Sequence, residues 1–348
     1  MNIKLDDTDC RNFLQPFSLT RHVSDIRIGI LTIREKWLKL LSIEKDHFLV
    51  DDDSDAILVP ANVIPTRNNF AAILSAAHKE ESIETNDSIR ILKYPWEIFQ
   101  INQWAIQKDV ELLTYHQHSA PLPPGNVYLN EANIIIEPGA KVLHSVLNAS
   151  EGPIYIAKNA VIMEGSMIRG PFSLGENSVV KMGSKIYGAT TVGPNCVVGG
   201  EIKNVVFFEN SNKAHDGYLG DSVIGAWCNL GAGTTNSNVK NSGASVSFQW
   251  NESLPPIIAG NKAGLLMGDY SRSAINTSFN TGTMVGVCCN VFENVFHQKK
   301  INNFSWGNGR YELNKAFRDI DNWKKMKHQE LTQTEINLLT HLFHSEKE

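Results

Sequence analysis

The sequence predicts an α/β N-terminal segment joined to a parallel β-solenoid of hexapeptide repeats, with helices after the solenoid. Three observations carry this. An aliphatic residue recurs at every sixth position through Ile156, Ile162, Ile168, Leu174, Val180, Ile186, Val192 and Val198. A helical period of about 3.6 or a strand period of about 2 gives no such register. Strand-like and helix-like patterns alternate before the repeat, and two helical patterns, Tyr311–Lys327 and Thr332–Phe343, follow it.

Taken in order, Asn2–Leu5 is a short strand and Ile28–Leu41 a helix with Arg34, Glu35 and Lys36 on its polar side. Ile57-Leu58-Val59 is a strand ending at Pro60, and Ala-rich Asn69–Lys79 is a second helix. Pro95-Trp96-Glu97 opens a third helix that runs toward Leu113, because proline suits a first turn. Ala120-Pro121-Leu122-Pro123-Pro124-Gly125 is the clearest linker.

Four residues after each aliphatic position come Ala160, Ser166, Phe172, Ser178, Ser184, Thr190, Cys196 and Ile202, mostly small. The phase is visible earlier at Ile136 and Val142, and again at Ile224, Leu230, Met267, Ser273, Phe279, Val285 and Val291. One inward aliphatic and one small corner residue per six means a short strand and a turn. Three such units close one triangular coil, and stacked coils form a parallel β-helix. Gly165, Gly170, Gly175, Gly183, Gly188 and Gly193 are assigned to tight corners.

The period breaks at Asn204–Gly217 and at Asn236–Gly264, the latter holding Ser253-Leu254-Pro255-Pro256. Insertions in solenoids sit at such breaks and tend to form the binding face. Thr332 and Glu335 make a capping box for the last helix. The expected units are residues 1–120, 121–305 and 306–348.

At 348 residues the chain is long enough for about two domains, each with its own core. Lys+Arg 32 against Asp+Glu 37 gives a net charge of −5, and no basic block appears, which argues against a nucleic-acid partner. No apolar run approaches the roughly 18 residues a membrane span needs, and the first residues do not read as a signal peptide. Cys10, Cys196, Cys228, Cys288 and Cys289 lack metal or disulfide-framework spacing, so the expectation is a cytoplasmic protein with reduced thiols.

His215-Asp216-Gly217-Tyr218-Leu219-Gly220-Asp221, followed by Asn229-Leu230-Gly231-Ala232-Gly233-Thr234 and Asn238, resembles the acetyltransferase half of the bifunctional GlmU enzymes. Glu201-Ile202-Lys203 stands at that family's spacing for the lysine that contacts the sugar phosphate. Gln15–Arg21 and Asp25–Trp37 resemble bacteroidete-type GlmU-like sugar nucleotidyltransferases, and Pro95-Trp96-Glu97 is similar to the helix joining the two halves of such fusions. The resemblance implies a nucleotidyltransferase-like N-terminal domain and a left-handed β-helix, an exception to the right-handed crossover rule. It also implies a homotrimer with acyl-donor clefts between neighbouring subunits.

Moving acetyl from acetyl-CoA to an amino-sugar phosphate requires an unprotonated amine and a proton acceptor. Histidine suits a general base near neutral pH, which assigns that role to His215. Lys203 offers a point charge for phosphate, and Tyr218, Asn229 and Asn238 hydrogen bonds for sugar hydroxyls. Ala232 and Gly233 leave backbone amides open to the donor. Two departures from the family stand out. Ile275 occupies the position of a serine that helps bind the donor, and after Val291 the sequence leaves the family's pattern, so the usual coenzyme-binding arginine is not placed.

Nucleotidyl transfer needs a phosphate cradle, a cation and a carboxylate for Mg²⁺. The Gly-rich first loop is here Asp6-Asp7-Thr8-Asp9-Cys10-Arg11, and the metal-binding Gly-Asp is Pro60-Ala61-Asn62. Arg11, Arg21, Arg27 and Lys36 are the remaining nucleotide or phosphate candidates, with Mg²⁺ expected only if this half is active on UTP or another NTP. The acidic run Asp51-Asp52-Asp53 with Asp55 reads as a solvated turn. Two other functions compete with acetyl transfer, a sugar-1-phosphate pyrophosphorylase that uses its β-helix to oligomerise and a non-catalytic sugar- or nucleotide-binding scaffold. A carbonic-anhydrase-type metal site would need three histidines on adjacent coils, and His144, His215 and His297 are poorly spaced for it.

Overall fold

The computed structural model describes residues 2–44, 47–51, 53, 55–114, 119–250, 255–292 and 298–345. Ser253, Leu254, His297 and Asp52 therefore lie outside the described residues. β1 (Asn2–Asp6) buries Ile3 and Leu5 and pairs in parallel with β2 (Phe48–Leu49) and β3 (Ile57–Pro60). β4 (Val63–Ile64) and β5 (Arg90–Ile91) form a short antiparallel pair.

The first helix, α1 (Ile33–Glu44), starts later than its apolar pattern suggests. Arg27 and Thr32 form a β-bridge, so residues 28–31 make a turn. A capping box then sets the start, with Thr32 N–H donating to Glu35 Oε2 at 2.7 Å and Glu35 N–H to Thr32 Oγ1 at 3.1 Å. α2 (Phe70–His78) and α3 (Glu97–Leu113) follow the sequence pattern closely.

The solenoid is a left-handed parallel β-helix. Its three faces are parallel ladders. One holds Met167–Arg169, Lys185–Ile186, Glu201–Lys203 and Tyr218–Gly220; the second holds Ile154–Ile156, Phe172–Leu174 and Thr190–Val192; the third holds Val179–Val180, Val197–Val198, Asn212–Lys213 and Asn229–Leu230. All eight repeating aliphatics from Ile156 to Val198 are at most 2% exposed, and the small corner residues from Ala160 to Ile202 are fully buried. Burial of each such aliphatic stabilises the coil by roughly 1.5–3 kcal/mol.

The corners divide into two kinds. Gly165 and Gly183 take positive φ, together with Asn159, Asn177 and Asn195, whose side chains stack one coil apart. At Gly170, Gly175, Gly188 and Gly193, neighbouring coil backbone leaves no room for a Cβ.

The two breaks differ. Asn204–Gly217 is no insertion: the strand Glu201–Phe207 rounds a corner at Asn204 (φ 55°) and the next coil is shortened. Asn236–Gly264 does leave the coil, and its hairpin of Val246–Phe248 and Ile257–Gly260 packs onto the N-terminal segment. Phe248 stacks on Trp96, centroids 5.2 Å apart, and Gln100 Nε2 donates to Ala259 O at 2.6 Å.

α4 (Leu313–Lys325) and α5 (Gln333–Ser345) cover the outer side of the third face and the later coils. One apolar cluster joins Ile3 and Trp37 to Val206, Phe208 and Val223 of the solenoid and to Ile320 and Leu339 of these helices, and a second fills the solenoid interior. Arg21 ties the N-terminal segment to the coils through Asp269 and through Glu209 at 3.2 Å, its guanidinium lying 4.7 Å from the Phe208 ring. Among the described residues no helix is long and apolar enough to cross a membrane.

Candidate functional site

The corner between the third face and the first carries His215 and Asp216, directly after Asn212–Lys213. Leu230, one coil on, is inward-facing, and the equivalent position here is Lys213. Lys213 is 1% exposed, and burial pushes its ammonium down to about 8. Its Nζ donates to Gly199 O at 3.2 Å and His215 O at 2.8 Å, so a buried amine braces the corner from within. Sequence reasoning missed this residue, because the shortened coil breaks the six-residue period and hides its inward register.

His215 itself is exposed, and among the described residues its ring has no hydrogen-bond partner. Its corner abuts the next one, where Gly233 N–H donates to Asp216 O at 3.1 Å and Asn276 N–H to Ala232 O at 2.6 Å. Ala232 and Gly233 thus lie beside the His215 corner, but coil stacking already accounts for the neighbouring glycine. A Cβ on Gly231 would sit 2.5 Å from Ala274 backbone. Ile275 is 67% exposed at the adjoining corner.

Beyond His215 the chain enters the first face. The Tyr218 ring folds back over Gly220, whose missing Cβ would lie 2.2 Å from the phenol oxygen. Gly220 is the register partner of Lys203, so phenol and ammonium occupy neighbouring coils. Lys203 is exposed and lies 5.9 Å from the Tyr187 ring. Asn238 Nδ2 donates to Tyr218 Oη at 3.1 Å and to Asp221 Oδ2, while Asn204 Nδ2 donates to Asp221 Oδ1 at 2.7 Å. Burial, with the nearby Asp221 carboxylate, pushes the Tyr218 phenol up to about 12. At neutral pH it therefore keeps its proton, and since its oxygen already accepts from Asn238, the O–H is free to donate outward. Asn238 begins the inserted loop, next to an open polar trough of about 620 Å³ lined by Thr235, Ser237, Lys240, Ser278 and Asn280.

Asn229 is not part of this group. It stands on the third face between Asn212 and Arg272. Lys327 Nζ donates to Asn212 Oδ1 at 3.2 Å and Arg272 lies 5.2 Å from the Trp323 ring, so the α4 segment contacts the coils on both sides of it. The structure brings Lys203, Tyr218 and Asn238 together and leaves Asn229 on the neighbouring face.

The N-terminal cations do not form a phosphate cradle. Lys36 is fully buried and paired with Asp109, whose Oδ2 also accepts Ile30 N–H at 2.7 Å and Leu31 N–H at 3.1 Å. Arg27 is 6% exposed and donates to Ile30 O. Arg21 is committed to Asp269 and Glu209, and Arg11 to Asp7 at 2.8 Å. Arg11 and Arg27 are held by local partners, whereas Lys36 and Arg21 are drawn in by carboxylates 73 and 248 residues away, which spacing alone does not reveal. Among the described residues no three His, Cys, Asp or Glu side chains group to hold a metal ion, and Asp6 Oδ1 accepts from Thr8.

Residues 3–87 match the family model of sugar nucleotidyl transferases. A bifunctional protein GlmU of Methanococcus maripaludis is 28% identical over 234 residues, 65% of this chain and 50% of that protein. A bifunctional sugar-1-phosphate nucleotidylyltransferase/acetyltransferase of Sulfurisphaera tokodaii is 29% identical over 223 residues, 63% and 49% of the two chains. A bifunctional protein GlmU of Wigglesworthia glossinidia brevipalpis is 25% identical over 296 residues, 82% and 60%. The chain is thus similar to GlmU-type proteins along most of its length, and spans about half the length of the first two of these relatives.

Proposed function

We propose that the chain is a transferase of nucleotide-sugar synthesis that moves acetyl from acetyl-CoA to the amine of glucosamine 1-phosphate, with His215 as general base. The observation that supports this most is the meeting of Lys203 and Tyr218 on one solenoid face with Asn238 of the adjoining inserted loop, a corner away from His215. Lys203 supplies charge for the sugar phosphate, and the Tyr218 O–H donates to a sugar hydroxyl. The amine nitrogen attacks the thioester carbonyl carbon; the C–N bond forms and the C–S bond breaks. The proton lost by nitrogen passes to the His215 imidazole, which returns it to the departing thiolate. Ala232 and Gly233, on the corner beside His215, would line the donor side.

On this reading a homotrimer in the cytoplasm completes each site, since His215 and Ile275 are exposed in the single chain. Uridylyl transfer is left out, because Arg21, Arg27 and Lys36 are spent on internal contacts. The test is mass-spectrometric product analysis with glucosamine 1-phosphate, acetyl-CoA and UTP offered separately and together. N-acetylglucosamine 1-phosphate without UTP supports the reading; a nucleotide sugar formed with no acetylated product contradicts it.

A further inference from the structure

β1 and β3 run parallel and end side by side at Asp6 and Pro60. A cleft of about 430 Å³ opens there, at the carboxyl ends of the strands, where ligands of parallel sheets bind. Its polar lining is Asp6, Asp9, Asn62 and Lys93, and much of the rest is apolar or aromatic, including Phe13 and Tyr94.

The polar groups are mostly acceptors. Asp6 Oδ1 is taken by Thr8, at 2.7 Å from its hydroxyl. Asp6 Oδ2 and both Asp9 oxygens have no partner among the described residues. Asn62 is nine-tenths buried on the cleft wall. Its Nδ2 donates to Leu92 O at 2.8 Å, and its Oδ1 has no partner among the described residues.

The aromatic groups are held in place. Phe13, 48% exposed, stacks on Trp250 at 5.6 Å and 8°, and Tyr94 stacks on Trp96 at 4.7 Å and 9°. A pre-oriented ring beside open carboxylates suits a ring-shaped ligand that donates hydrogen bonds. A triphosphate brings only acceptors and negative charge, and would meet Asp6 and Asp9 with Lys93 as the one cation of the lining.

The geometry points to a second ligand site in this cleft, for an unphosphorylated amino sugar in place of a nucleoside triphosphate. Its ammonium and hydroxyls donate to Asp6, Asp9 and Asn62, and its ring face lies on Phe13. This site is separate from the proposed acetyl transfer and stands whether or not that reaction occurs.

Isothermal titration of the full chain with glucosamine, and in parallel with UTP and Mg²⁺, tests it. Glucosamine is expected to bind, with at least about tenfold weaker binding in Asp9→Asn and in Phe13→Ala, as loss of a charge-assisted contact predicts. Lys93→Ala, which removes the competing cation, is expected to bind glucosamine at least as tightly as the parent. Asp9→Asn is expected to leave acetyl transfer to glucosamine 1-phosphate unchanged, which keeps this site distinct from the solenoid. Absent glucosamine binding, binding indifferent to both Asp9→Asn and Phe13→Ala, or Phe13-dependent binding of MgUTP tighter than that of glucosamine would each overturn the proposal.

Discussion

Lys213 Nζ donates to the backbone carbonyl of His215 at 2.8 Å from inside the solenoid. An amine that fills an aliphatic position thereby fixes the corner on which the imidazole stands, and its burial makes the corner sensitive to pH.

Lys213 titrates near 8 when folded, against about 10.4 for a free lysine. Between these values the unfolded chain holds more protons, so this group makes stability rise with pH from about 8 to about 10.4. Urea unfolding of the parent and of Lys213→Met at pH 7.5, 9 and 10 is expected to show this rise only in the parent. The difference approaches roughly 3 kcal/mol across the window. Parallel profiles would contradict it.

The Lys36–Asp109 pair lies wholly inside the protein. Removing one partner leaves a buried charge and is expected to cost about 3–5 kcal/mol. Asp109→Ala should be worse than Lys36→Met, because it also strips the acceptor from the Ile30 and Leu31 amides. The double substitution should cost less than the sum of the two. Urea midpoints of the three variants measure this cycle.

Glu335 accepts from Tyr270 Oη at 2.8 Å, Lys324 Nζ at 2.6 Å and Thr332 N–H at 2.8 Å, pinning α5 to the solenoid and to α4. Burial works to raise its carboxyl, but these partners together hold it below the usual glutamate range. The stability it adds is therefore present above about pH 4.3 and lost as pH falls through the lower folded value. Glu335→Gln should cost roughly 1–2 kcal/mol at neutral pH and expose α5 to limited proteolysis there, as acid does in the parent.

Much of this architecture was legible from the chain alone. The hexad from Ile156 to Val198 is a strictly local rule, repeated along that stretch, so its phase predicts which side chains face inward there. Helix ends with side-chain caps, such as Thr332 with Glu335, were equally readable. What sequence could not supply were pairings between distant segments. The acidic partners of Lys36 and Arg21 lie 73 and 248 residues away, so cations that looked free are internal. Asn204–Gly217 looked like an insertion because a shortened coil also breaks the period. Asn229 matched a motif by spacing, yet spacing does not say which of three faces a residue occupies or that α4 runs over its neighbours.

Tyr218→Phe removes one donor and leaves Asn238 bonded to Asp221. Under the proposed reaction it is expected to lower kcat/KM for glucosamine 1-phosphate by about tenfold, mainly through KM, with Tm unchanged. Steady-state kinetics at fixed acetyl-CoA checks this, and an unaltered KM would remove Tyr218 from the sugar site.

The most direct test is kcat for acetylation of glucosamine 1-phosphate by His215→Ala at saturating amine and acetyl-CoA, with unfolding measured on the same preparation. His215 is exposed, so its loss should leave stability within about 0.5 kcal/mol. The prediction is a fall in kcat of about 10²–10⁴-fold. A variant that acetylates at the parent rate would contradict the assignment of the imidazole as the base.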